Sequence, residues 1–205
     1  MVRSLRWTVE DIEVMPQDGR LREIIDGELF VSTQPHLHHQ IVSSRLIAAL
    51  SQWNDTRTPR GAVANSPGLI FSRYDAVAPD IVWISHERLQ RALDDRGHLR
   101  VAPELVVEVL SPGAENRHRD REAKLKLYSR DGVDEYWIVD WRERLVELFR
   151  RDRQQDVLQF VASLASRDTL ESPHLPGFRF VVGRLFDGLP RTRKPAPYPD
   201  PSPDE

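Results

Sequence analysis

Cysteine is absent from the 205-residue chain. Neither a disulfide framework nor a thiolate zinc site is open to it, and a reducing cytoplasm suits it. Long apolar runs are missing too: no stretch approaches the roughly eighteen residues that a membrane-spanning helix needs. The opening segment, MVRSLRWTVEDIEVM, has no uninterrupted apolar core and is not expected to act as a secretory signal. Nor is there a surplus of positive charge. The formal net charge is −3, so composition alone does not announce a nucleic-acid ligand. Distribution says more than the sum. In residues 115–130, ENRHRDREAKLKLYSR, Lys and Arg outnumber Asp and Glu, which fits either a solvated helix face or a basic patch.

What is present is enough for one domain. An apolar content of 40% over this length supports a single core, expected over residues 1–189. Six prolines among residues 190–205 predict a disordered tail. Residues 21–33, LREIIDGELFVST, hold two apolar runs around Asp26-Gly27, a hairpin signal because that dipeptide tolerates positive φ at both turn positions. Val42, Leu46, Ala49 and Trp53 recur at helical spacing within residues 37–54. Two or three strands are expected over 60–85, and a short helix over 86–98 closed by Gly97. APELVVEVLSP (102–112) reads as a strand buried on both faces. A second helix spans 115–130 and stops at Gly132. EYWIVD and RLVELFRR form a hairpin around Trp141 and Arg142, and DVLQFVAS adds another strand. This order predicts an α/β (α+β) domain with a central mixed sheet flanked by helices.

Several charged residues sit where charge is expensive. Glu104 and Glu108 lie in the most apolar strand, and a carboxylate among valines needs a cation, an arginine or backbone N–H groups to offset its desolvation. Glu104 follows a proline at the strand start and fits a wet end. Glu108 is hemmed in by Val106, Val107, Val109 and Leu110. Asp80 opens the apolar strand PDIVWI, and alone it would read as a turn-capping residue. With Glu108 it could offer hard oxygen ligands to magnesium, which takes one or two carboxylates and keeps several waters. Asp120, Lys124 and Tyr128 share one helical face, either as an ordinary surface pair or as a lysine aimed at the strand carboxylates. His36, His38 and His39 cluster at a helix start. A zinc site wants three or four suitably spaced ligands, and no partner set appears elsewhere.

PDIVWI, PELVVEVLSP, RDREAKLKLY and GVDEYWIVD, in that order, resemble the Uma-type restriction endonuclease family. REIIDGEL and the pair His39-Gln40 also match its N-terminal pattern, and the resemblance runs from about residue 20 to about residue 150. It implies the restriction-endonuclease-like PD-(D/E)XK nuclease fold and a magnesium ion or a similar cation such as manganese. Asp80 matches the motif aspartate and Glu108 the motif acid. Two residues after Glu108 stands Leu110 rather than lysine. The family shares this departure, and its lysine lies on the following helix, where Lys124 stands. The resemblance also suggests a further acid near the metal, Glu23 or Glu28, with Glu28 preferred, and places His39 near the site.

The expected function is hydrolysis of a nucleic-acid phosphodiester, with DNA as substrate. The cation would be held by Asp80, Glu108 and the backbone carbonyl of Val109, Lys124 would position the attacking water, and Arg117, Arg119 and Arg121 would touch the phosphate backbone. Because the chain is mildly acidic, a second copy could complete the binding surface as a homodimer. The alternatives are a binding module for nucleic acid or protein that keeps the nuclease fold without turnover, and a metal-dependent hydrolase of another substrate.

Overall fold

The computed structural model describes residues 5–32, 34–56, 60–113 and 118–190. The proline-rich tail lies outside the described residues from residue 191 onward, as does Arg117. In chain order the elements are α1 (Val9–Glu13), β1 (Leu21–Ile25), β2 (Glu28–Ser32), α2 (Leu37–Asp55), β3 (Gly61–Asn65), β4 (Leu69–Ser72), β5 (Asp75–Val77), β6 (Ile81–Ser85), α3 (His86–Ala92) and β7 (Leu105–Val109). A π-helical turn (Arg119–Ala123) then runs into α4 (Lys124–Arg130), followed by β8 (Glu135–Asp140), β9 (Leu145–Asp152), β10 (Val157–Ala165), β11 (Thr169–Leu170) and β12 (Phe180–Val181).

Asp26 and Gly27 take φ of 53° and 82°, the double left-handed turn that a two-residue hairpin requires, and Ile25 pairs with Glu28 across it. This hairpin belongs to a small antiparallel sheet ordered β2-β1-β5-β4. The central sheet is mixed, ordered β10-β9-β8-β7-β6-β3, with β7 and β8 as its parallel pair. Residues 60–85 form four strands rather than two or three. The chain folds back between β4 and β5, where the Ser72 hydroxyl donates to Asp75 at 2.7 Å. The helix expected over 86–98 ends at Ala92. Asp94 there accepts from the N–H groups of Arg96 (3.0 Å) and His98 (2.8 Å), so Gly97 closes a turn and not a helix.

Every residue of β7 and β8 is buried, as a strand pair covered on both faces must be. Alternation splits β7 between two cores. Val107 and Val109 face Val42, Leu46 and Leu50 of α2 and an irregular C-terminal segment that contributes Leu170, Leu175, Phe178, Val182, Leu185 and Phe186. Val106 and Leu110 face Leu127 and Tyr128 of α4. Glu108 shares the parity of Val106 and Leu110, so it points toward α4. Gly132, at φ 92°, ends α4 and returns the chain into β8.

Candidate active site

Strands β6 and β7 are antiparallel neighbours, so the start of one lies at the end of the other. Asp80, just before β6, reaches across that end. Its Oδ2 accepts the backbone N–H of Val109 at 2.7 Å and lies 3.0 Å from Nε2 of His39. Glu108 is the penultimate residue of β7 and is buried. Its Oε1 accepts from Lys124 Nζ at 2.8 Å and from the Tyr128 hydroxyl at 2.8 Å. Lys124 also meets Glu23 Oε1 at 2.9 Å and Asp120 Oδ1 at 3.8 Å. Asp120 in turn accepts from Arg119 Nε at 3.0 Å. Asp120, Lys124 and Tyr128 thus occupy one buried face. The π-helical turn immediately before Lys124 is a local widening of a kind frequent at functional sites.

The electrostatics follow from burial. Burial pushes the Glu108 carboxyl up, to about 8, against the pull of Lys124, and the Asp80 charge pushes the same way. Burial alone would lower the Lys124 pKa, but Glu108, Glu23 and Asp120 outweigh it and the net shift is upward. Lys124 is therefore held as an ammonium. Tyr128 is pushed well above its ordinary range, first by burial and then by the Glu108 charge, so it remains a hydrogen-bond donor.

Glu23, His39, Asp80, Glu108, Val109, Asp120 and Lys124 all line one cavity of about 540 Å³. Three buried polar atoms on its walls, Glu23 Oε2, His39 Nδ1 and Ser43 Oγ, have no hydrogen-bond partner among the described residues. Not every expected residue arrives there. Glu28 is exposed beside the hairpin turn, and of these two candidate acids it is Glu23 that lines the cavity. Glu23, Ile24 and Ile25 are all buried, so burial does not alternate along β1 and strand parity offered no clear signal in its favour. Glu104 accepts from the Ser85 N–H at 2.9 Å and pairs with Arg88 at 3.3 Å, a structural arrangement. Arg121 pairs with Glu147 at 3.2 Å and Asp140 at 3.5 Å. Arg119 is buried against Asp120, Glu23 and Ser32. Neither is a free surface cation. His36 stacks on Trp141 at 4.9 Å and His38 meets the same ring edge-on at 5.0 Å. Ser43, missed in the sequence, lies one helical turn after His39.

Among the described residues no three His, Asp or Glu side chains form a ready-made metal cage. The donor set still fits a hard divalent cation. Four carboxyl groups on the cavity wall (Glu23, Asp80, Glu108 and Asp120) face two cations, Arg119 and Lys124, so oxygen donors outnumber the cations available to them. Magnesium in particular needs only one or two carboxylates and retains water.

The family model Uma2, described as "Putative restriction endonuclease", matches residues 9–183. The chain belongs to this family. A solved structure described as "a putative nuclease belonging to DUF820 from Anabaena variabilis ATCC 29413" superposes with a TM-score of 0.69 at 15% identity, over 87% of this chain and 97% of that one. It shares the fold, a restriction-endonuclease-like mixed sheet with helices. The type IIG restriction endonuclease BpuSI gives a TM-score of 0.41 at 16% identity, over 73% of this chain and 15% of that one, too distant a likeness to bear on the site. No curated protein matches. No helix among the described residues is long and apolar enough to cross a membrane.

Proposed function

We propose that this Uma2 family chain is a magnesium-dependent endonuclease that hydrolyses DNA phosphodiesters, with manganese as a working substitute. The observation that carries this reading is the convergence of Asp80, Glu108 and Lys124 on one cavity from three separate elements. Asp80, Glu108 and the Val109 carbonyl would hold the cation. When bound, such an ion polarises a phosphoryl oxygen and lowers the pKa of a coordinated water. The remaining work falls to the protein. Lys124, fixed as an ammonium, offsets developing charge on the phosphate and orients the attacking water. Tyr128 donates to Glu108 Oε1 and so fixes which oxygen of that carboxylate faces the cavity. His39 does the same for Asp80. The chain would act in the cytoplasm, and a homodimer would complete the binding surface by joining that of two protomers.

The test is cleavage of supercoiled plasmid, single-stranded DNA and RNA, each with magnesium and with chelator, by the native protein and by Asp80→Asn and Lys124→Ala. Magnesium-dependent nicking of the plasmid, lost in both variants, is the expected result. Binding without cleavage under every condition would instead identify a nuclease-fold binding module.

A further inference from the structure

We propose that Glu23 is a positioning residue of the site rather than a metal ligand, fixing Lys124 and the Asp80 loop in register while Glu108 serves the cation. The proposal rests on the reading that Lys124 acts in phosphodiester cleavage. Three carboxylates surround the Lys124 ammonium, and they are not equivalent. Glu108 is also assigned to the cation. Asp120 is more distant, at 3.8 Å, and is already engaged by Arg119 at 3.0 Å. Glu23, at 2.9 Å, is the partner left at bonding distance when Glu108 turns to a cation.

Glu23 also comes from a different sheet. It projects from β1 of the small antiparallel sheet, whereas Glu108 and α4 belong to the central sheet and its helical cover. The same Oε1 that meets Lys124 accepts the backbone N–H of Ala78 at 3.0 Å, two residues before Asp80. One carboxylate oxygen thus ties the lysine to the loop carrying the motif aspartate. A long, flexible lysine side chain loses rotamer freedom when it is held in one place, so it needs such a tie to offset that loss. Glu23 is 1% exposed, and its second oxygen lies 3.5 Å from Arg119 Nη1 without a hydrogen bond. Buried charge of this kind is costly unless something answers it, and of the two cations that do, Lys124 at 2.9 Å is nearer than Arg119 at 3.5 Å.

Two measurements test this. Lysine-specific 15N labelling, with Lys124→Met for assignment, gives the solvent-exchange rate of the Lys124 ammonium in the metal-free protein. Glu23→Gln should raise that rate at least about tenfold. Single-turnover cleavage of plasmid DNA with magnesium should fall on the order of tenfold to a hundredfold in Glu23→Gln. In a Lys124→Met background the same change should cost nothing further. Unchanged ammonium exchange in Glu23→Gln overturns the proposal. So does a loss of cleavage that adds fully to that of Lys124→Met, since this would mean that Glu23 acts on the cation or the substrate directly. If the native protein cleaves nothing, the proposed function falls, while the exchange measurement still decides whether Glu23 holds the lysine. Should Glu23→Gln fail to fold, Glu23→Asp carries the same comparisons.

Discussion

Glu108 and Glu135 lie on adjacent parallel strands, and each is almost fully buried, at 3% and 0% exposure. Only Glu108 borders the cavity. Glu135 is tied by neutral donors and an arginine: Trp137 Nε1 at 2.7 Å, Ser172 Oγ at 2.8 Å and Arg150 at 3.2 Å. A carboxylate in an apolar strand is thus not a site by itself, and what distinguishes Glu108 is a neighbouring carboxylate, Asp80, with a lysine pointed at it. Lys124→Ala should cut cleavage on the order of a hundredfold or more. Lys126, exposed and paired only loosely with Asp26 at 3.5 Å, should tolerate alanine with cleavage unchanged in the same single-turnover assay. A second expectation concerns pH. With its pKa raised from 4.5 to about 8, Glu108 in the metal-free fold prefers its protonated form. That preference stabilises the metal-free protein fully below pH 4.5 and is lost as pH rises through about 8. Cation uptake runs the other way, because it must displace the proton. Apparent magnesium affinity should climb by up to tenfold per pH unit until about pH 8 and then level. Calorimetry in buffers of different ionisation enthalpy would register up to one proton released per ion at pH near 6.5. Affinity flat across this range would remove Glu108 from the ligand set.

At the scale of elements, the hairpin, the two principal helices and the buried strand were readable because each carries a short-range signal: a two-residue turn, a stripe at helical spacing, an unbroken apolar run. Asp80 and Glu108 stood out as charges within such runs. Strand parity could not choose between Glu23 and Glu28, in a strand whose two faces look alike in sequence. The π-helical turn left no short-range signal in the sequence, although it holds buried Arg119 and Asp120. The C-terminal cover of the first core (Leu170 to Phe186) was not anticipated, because irregular segments carry no period to detect. The exit from α4 offers an element-scale test. At Gly132 an added Cβ would meet only Ala102, at 4.0 Å, so space is no obstacle and the φ of 92° is. Gly132→Ala should therefore cost about 1–2 kcal/mol from backbone strain alone, read as a lower urea midpoint with an unchanged slope.

For the whole molecule, the site draws on both sheets and on α2 and α4, so a ligand there steadies all of them together. Magnesium at a hundredfold excess over its Kd should add about 2.7 kcal/mol, a rise in Tm of several degrees for a chain of this size. Asp80→Asn should abolish that rise, and above about pH 8, where Glu108 is ionised, its metal-free Tm should equal or exceed that of the native protein, because one of two neighbouring carboxylates has lost its charge. An identical metal-induced shift in the variant would place the ion elsewhere. The outer rim of the central sheet has a different consequence. β10 runs nine residues, Val157–Ala165, along that rim without a single charged side chain, and Phe160 and Val161 are exposed at 58% and 47%. Side chains cap this edge near its ends, Ser129 Oγ accepting the Leu158 N–H at 2.8 Å and Asp168 the Ala165 N–H at 2.7 Å, and the uncharged stretch between them invites strand addition from a neighbouring molecule. Concentrated or gently heated solutions should therefore turn turbid through this rim while the core is still closed, and Val161→Lys should raise the concentration at which light scattering begins without moving the melting transition.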